Sequence, residues 1–472
     1  LPNAQLPKTM TTHQYIDAHR ERFLEELFSL LRTPSVSTDP ARKDDTHYCA
    51  TQVQEYLLKA GMDEVSLYPT AGHPIVYAEK IIDPALPTVL VYGHYDVQPA
   101  APLEQWESAP FEPVIKKTAL HPEGAIFARG ATDDKGQMFI HVKAVEAMIQ
   151  TGNLPCNVKF MIEGEEEIGS PNLTPFIQQY HEMLAADVIL VSDTSLLAND
   201  VPSITVGLRG LSYLDVKVTA ASKDMHSGTY GAGVANPINT LCEMVAKLKD
   251  ERKHITIPGF YDDVVFPSDE VRDMIRNAPF DAAAKMEGPG LFGLEGEEGY
   301  HFYERTGILP SLDCNGIWGG FMEKGSKTII PAVANAKISM RLVSQQNHEK
   351  AAQQFADYFK SLAPDTVRVE VTPHHGGNPY VTPTDTVEYQ AASAAMEESF
   401  GRVPVPMYGG GSIPIIAAFK EILKIETILM GFGLDSDGLH SPNEHFGVVN
   451  FFKGIETVPL FFRAYASRKA GA

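Results

Sequence analysis

The chain has 472 residues, 44% hydrophobic and 21% charged, the balance of an ordinary water-soluble globular protein with room for two or three domains. Asp and Glu number 60 against 39 Lys and Arg, and the resulting net charge of −21 argues against nucleic acid and an anionic membrane surface as partners. Cys49, Cys156, Cys242 and Cys314 lie far apart with no Cys-x-x-Cys spacing, so neither a zinc knuckle nor a disulfide framework is expected and a reducing compartment fits.

In chain order, Thr11 and Gln14 form a capping-box pattern, and a helix is expected from there to about Leu31, with Phe23, Leu24, Leu27, Phe28 and Leu31 on one stripe. The residues before it lack the charged and apolar regions of a secretory signal, and no apolar run is long enough to span a membrane, so a cytoplasmic location is expected. A second helix over about Asp45 to Ala60 ends where Gly61 suits a left-handed cap. Strands are expected at Val65–Tyr68 and Ile75–Glu79, and a buried one from Val89 that runs out at Gly93-His94. A strand at Ala125–Ala128 leads through a tight loop at Asp133-Asp134 into a helix with Met138, Val142, Val145 and Ile149 inward. Buried strands follow at Val158–Ile162 and Asp187–Val191. Strands alternating with helices indicate an α/β domain with a mostly parallel sheet and helices on both faces.

After about Thr205 the pattern changes. Tyr213–Val218 and Ala336–Leu342 alternate strictly, as strands with one solvated face do, and in the second Lys337, Ser339 and Arg341 are expected outward. Asn236-Pro237 opens a helix to about Lys249. Ile255–Thr306 is acidic and poorly periodic, and carries no assignment. From about Thr386 the α/β character returns, with a helix at Val387–Phe400, a glycine loop at Gly409–Gly411, a buried strand at Thr427–Gly431 and a final helix. The expected division is an α/β domain in two parts, 1–205 and 386–472, interrupted by an inserted α+β domain, 206–385.

The strand ends gather chemistry. His94 with Asp96, Asp133 with Asp134, Glu166 with Glu167, Asp193 and His440 all fall just past predicted strands, where open α/β sheets bind ligands. So many carboxylates at one edge would repel one another unless cations held them. Imidazole and carboxylate without thiolate suit Zn²⁺, with Mn²⁺ or Co²⁺ as alternatives. Two ions sharing one carboxylate sit about 3.5–4 Å apart in such sites.

Six motifs carry a resemblance along nearly the whole chain: Gly93-His94-Tyr95-Asp96-Val97, Arg129 to Gly136, Glu163-Gly164-Glu165-Glu166-Glu167, Ser192-Asp193, Asp224-Met225-His226-Ser227-Gly228, and Gly438 to Glu444. The sequence resembles the di-zinc metallopeptidase family of aminoacylases, glutamate carboxypeptidases and carnosinase-type dipeptidases, nearest to the cytosolic non-specific dipeptidase and carnosinase branch. The resemblance implies that Asp133 bridges two metals, that His94 and Asp193 complete one site, and that Glu167 and His440 complete the other. It places Asp134 across a cis peptide. It implies hydrolysis of dipeptides by a hydroxide bridging the metals, with Glu166 as general base, Asp96 orienting His94 and His226 stabilising the oxyanion. Arg341 would bind a free substrate carboxylate with Gly411 and Ser412, and Thr328 and His375 would add contacts. The inserted domain would be a lid and dimerisation domain, with His226 reaching into the partner's site of a homodimer. N-acyl amino acid hydrolysis is the alternative within the family. A non-catalytic binding module is the alternative outside it, but no ligand or base is missing.

Overall fold

The computed structural model describes residues 10–287, 290–410 and 414–471. The chain divides into two compact units. The first holds the described residues of Leu1–Val206, Thr382–Pro406 and Pro414–Ala472, the second those of Gly207–Val381 and Met407–Ile413.

In the first unit, Asn157–Glu163, Thr88–His94, Val188–Val191 and Glu426–Leu429 lie side by side and run parallel. Val89 to Tyr92 and Val188 to Val191 are wholly buried, which is why they read as unbroken apolar runs. The sheet as a whole is mixed. Glu64–Tyr68 and Ile75–Lys80 extend one side antiparallel, and Thr205 pairs antiparallel with Leu429 on the other. The link from Tyr68 to Ile75 is too short for a crossover, so that pair is a hairpin.

Helices cover the sheet. The capping box at Thr11 and Gln14 is present, but the first helix breaks at His19 into Thr12–Ala18 and Arg20–Leu31. The His19 ring takes the Tyr15 carbonyl at 2.8 Å, and its amide turns to Ile16 instead. Lys43–Ala60 ends at Gly61, whose φ of +101° is in the left-handed region. Lys135–Thr151 is buried from Lys135 to Met148, well beyond the one stripe its spacing suggested. It packs on the His94 strand and against four other helices, so its polar residues are carried inside. Lys143 reaches Glu146 at 2.8 Å and Glu26 at 2.5 Å, and Glu146 also holds Arg22 and the Tyr15 hydroxyl.

The second unit has a four-stranded antiparallel sheet in the spatial order Ser311–Gly319, Val333–Leu342, Gly210–Thr219, Arg368–Gly377. One face packs Leu214, Val216, Ala336, Ile338 and Met340 onto the helices Pro237–Ala246 and His348–Ser361, through Leu241, Met244, Phe355 and Phe359. Lys337 and Arg341 stay partly exposed, but Ser339 is nearly buried, since Tyr213 and Asp313 flank it in register. Among the described residues, Ile255–Thr306 holds the short helices Asp269–Arg276 and Ala282–Glu287 and most of a third, Phe302–Gly307. Arg272 and Arg276 converge on the buried Glu304 at 2.9 and 3.1 Å, so ion pairs replace the apolar stripe that a sequence pattern would show.

Candidate metal centre

His94 is the last residue of its strand and is fully buried. Gly93 before it is required by space, since a Cβ there would lie 2.8 Å from Asp134 Oδ2. The His94 amide donates to that same oxygen at 3.0 Å. His94 Nε2 lies 3.2 Å from Asp133 Oδ1 and 4.0 Å from Asp193 Oδ2. The other Asp133 oxygen is 2.8 Å from His440 Nε2, which is 3.3 Å from Glu167 Oε2. Two groups of potential ligands therefore share Asp133: His94 and Asp193 on one side, Glu167 and His440 on the other. The Asp133–Asp134 peptide is cis.

The supports differ in part from expectation. His94 Nδ1 bonds the Asp96 carbonyl at 3.1 Å, with the carboxylate at 3.3 Å. The Asp96 carboxylate also accepts from the amides of Glu166 and Glu167, at 3.2 and 3.1 Å. It braces the acidic run as well as the histidine. Glu166 and Glu167 do not lie on extended backbone. Glu166–Ile168 is a 3-10 turn, in which successive side chains diverge by about 120° because three residues complete a turn. Gly164 lets this turn pass Tyr95, whose ring a Cβ would meet at 2.3 Å.

Sequence reasoning quoted Glu444 in a motif but gave it no role. Its buried carboxylate accepts from Arg129 Nη1 and from the amides of Gly130, Thr132 and Asp133, at 2.7 to 3.1 Å. It thereby fixes the loop that presents Asp133. The available signal was an acidic residue in a histidine-bearing motif, beside an arginine-led one. His440 sits opposite with φ +58°, a left-handed conformation costly for a residue with a side chain.

The charges show what the arrangement accepts. Burial pushes Glu166 up to about 8; His94 opposes, and Asp193, Asp133 and Glu167 add to the rise. Burial, then Asp133, pushes Asp193 up to about 7. Asp133 is buried too, yet hydrogen bonds from His440 and His94 hold it below the carboxylate range. Those bonds to Asp133 and Glu167 push His440 up to about 10. The cluster thus draws in positive charge. His94 Nε2 is buried and faces Asp133 Oδ1 and Asp193 Oδ2, as a ligand nitrogen would. Imidazole nitrogens and carboxylate oxygens are the donors that Zn²⁺ and its neighbours take, so the residues fit a two-metal centre.

The remaining expected residues belong to the second unit, apart from two. His226 is exposed and opposes Ile329, next to Thr328, whose carbonyl accepts from the Ser227 amide at 3.1 Å. His375 stacks on Tyr213 at 5.3 Å. Arg341 opposes Leu211 and Ser311. Burial, then Arg341, pushes Arg209 down to about 10. Gly411 and Ser412 lie outside the described residues.

Comparisons with known proteins agree along the chain. The Beta-Ala-His dipeptidase of Homo sapiens is 31% identical, over 98% of this chain and 93% of that one. The Cys-Gly metallodipeptidase of Saccharomyces cerevisiae is 30% identical, over 96% and 97%. The crystal structure of an M20 family metallo-carboxypeptidase from Sulfolobus solfataricus superposes with a TM-score of 0.80 at 30% identity, covering 94% of this chain and 99% of that one. Residues 90–463 match Peptidase family M20/M25/M40, and with that match and those relatives the chain belongs to this family of metallopeptidases.

Proposed function

We propose that the chain is a metallodipeptidase that hydrolyses the peptide bond of a dipeptide with a free C-terminal carboxylate. The observation that carries this is Asp133, with one oxygen toward His94 and Asp193 and the other toward His440 and Glu167, and the Glu166 carboxyl beside them. His94, Asp133 and Asp193 would hold one divalent ion, and Asp133, Glu167 and His440 the second, with Zn²⁺ favoured by the thiolate-free donor set. When bound, the ions polarise the peptide carbonyl and acidify the attacking water. Glu166 takes a proton from that water as its oxygen bonds to the carbonyl carbon. It then returns the proton to the amide nitrogen as the C–N bond breaks. Asp96 holds Glu166 and Glu167 by their amides and His94 by its Nδ1.

Arg341 binds the substrate carboxylate, with Ser412 and Gly411 beside it, supported by the positive field that Arg341 already exerts on Arg209. His226 stabilises the oxyanion, and Thr328 and His375 add substrate contacts. The inserted domain, 206–385, acts as lid and dimerisation domain between catalytic parts 1–205 and 386–472. The apolar stripe of helix Pro237–Ala246 is spent within its own unit, so the surface between subunits is better drawn on the edge strand Ser311–Gly319, where Ile317 and Trp318 are exposed. The four free cysteines suit a cytoplasmic location.

Metal analysis with a substrate panel tests the reading. Two equivalents of metal at the centre and cleavage of Beta-Ala-His or Cys-Gly are expected, with little activity on N-acetyl amino acids. Preference for the N-acetyl compounds would make the chain an acylase. The dimer is tested by mixing Glu166→Ala with His226→Ala. If His226 serves the partner's site, half the dimers are mixed and each has one intact site, so about a quarter of wild-type activity returns. No recovery despite demonstrated exchange of subunits removes the composite site.

A further inference from the structure

A second cluster of ligand-type side chains lies in the first unit, around Asp437. His121 sits in the turn between strands Val114–Lys116 and Ala125–Phe127, held by its amide on Thr118 Oγ1 at 2.9 Å. His445 opens the strand His445–Gly447, which pairs antiparallel with Ala125–Phe127 and places His445 opposite Phe127. Its ring stacks on that phenylalanine at 4.6 Å. Asp437 is fully buried in the loop that leads into the strand His445–Gly447, with His121 almost as deep and His445 mostly covered.

The bonding is lopsided. Asp437 Oδ2 accepts from the Leu434 amide at 2.8 Å and from Thr132 Oγ1 at 3.3 Å. Among the described residues Asp437 Oδ1 has no hydrogen-bond partner, and neither has His121 Nε2; both are buried. These two atoms face each other at 3.6 Å, and His445 Nε2 lies 3.9 Å from the same oxygen. Both separations exceed a hydrogen bond, yet all three atoms lie within 4.8 Å of one another. Ligands around a tetrahedral zinc stand about 3.3 Å apart, given bonds of about 2.0–2.1 Å, so a small contraction onto an ion would satisfy all three. His445 Nδ1 bonds the Asn443 carbonyl at 2.9 Å, which can only accept, so the proton is on Nδ1 and the lone pair on Nε2. That is the orienting bond metal-bound histidines make. Gly447 clears the space for the other ring, since a Cβ there would lie 2.6 Å from His121 Nδ1.

We propose that His121 Nε2, Asp437 Oδ1 and His445 Nε2 form a third divalent metal site, structural in role and separate from the Asp133 centre. Its ligand chemistry is that of zinc, with a water completing the coordination. With two neutral imidazoles, a divalent ion would neutralise the Asp437 carboxylate and leave the site one net positive charge. The ion would tie the Val114–Phe127 hairpin to the loop carrying His440 and Glu444, and through Thr132 Oγ1 to the residue beside Asp133.

The test is metal counting on the full-length protein, stripped with chelator, reloaded with zinc alone and desalted. His445→Asn and His121→Gln should each retain one equivalent fewer than wild type, whereas His440→Ala removes its ion from the Asp133 centre. Crystals of the wild type loaded with zinc should show an anomalous peak among the three side chains, a reading that needs no variant to fold. Unchanged metal content in both variants, or density there without anomalous signal, overturns the site and makes it a pocket for water.

Discussion

Two sets of buried charge in the first unit invite comparison. Around Lys135–Thr151, the cations Arg22 and Lys143 face the carboxylates of Glu26 and Glu146, with the Tyr15 hydroxyl as a further donor. That set is balanced within the chain. Around Asp133, the carboxylates of Asp96, Asp134, Glu166, Glu167 and Asp193 crowd in, opposed among the described residues by the imidazoles of His94 and His440 and by the Lys135 ammonium, which acts on Asp96. The titration behaviour follows. Burial works against the charge on Glu146, but Lys143 and Arg22 outweigh it and hold its pKa below the ordinary range. Glu166 and Asp193 rise to about 8 and about 7. Buried charge that is neutralised internally fixes structure, whereas buried charge of one sign left in excess is waiting for something from outside.

The comparison breaks most sharply on chelation. Removing metal is expected to abolish peptidase activity while leaving the balanced network intact, so activity should fall to background and far-ultraviolet circular dichroism should keep its helical signal. Activity at full rate in metal-free protein would end the two-metal reading. Glu166→Ala should slow turnover by roughly 10²–10⁴-fold with metal content unchanged, and Glu167→Ala should lose metal. Finding the two results exchanged would move the base by one residue.

On the balanced side, Glu146→Ala should cost up to about 3–5 kcal/mol in denaturant unfolding, because it leaves the buried Lys143 to share Glu26 with Arg22, with metal content kept. The second unit offers charge of the opposite sign. Arg341→Ala should lower kcat/KM for free dipeptides by roughly 10- to 100-fold, the worth of a charged hydrogen bond of about 1.5–3 kcal/mol, and much less for their C-terminal amides. Equal losses would make Arg341 structural. The smallest effect concerns acid. The folded pKa of Glu146 lies below its unfolded value, so its stabilisation is full at neutral pH and fades as pH falls through the carboxylate range and below. The melting-temperature gap between wild type and Glu146→Gln should therefore narrow between about pH 6 and about pH 3.

The strands of the first unit were legible because each is a run of buried aliphatic residues, and His94, Asp133, Asp193 and His440 stood where those runs stop. The outer strands Glu64–Tyr68 and Ile75–Lys80 were legible as strands but not in their antiparallel direction, because the direction of a pair depends on the length of a link rather than on the residues in it. His19 broke a well-formed helical stripe through one side-chain bond that periodicity does not register. Glu166 and Glu167 were legible as a pair, but the turn that parts them was not, since it is set by Asp96 from 70 residues away. The cluster at Asp437 lay hidden because His121 comes from a short polar turn and its partners from beyond residue 430, with no spacing to link them.

Glu444 reaches back 314 residues to the amide of Gly130, and that distance is also a delay. At about 5–20 residues per second a ribosome needs roughly 15 to 60 seconds to travel it. For most of that interval His94, Asp133 and Asp193 exist on the nascent chain, while His440 and the carboxylate that clamps the Asp133 loop have yet to be made. All the donors of one ion are synthesised long before the last donor of the other, His440, so the centre is completed in the order in which it is translated.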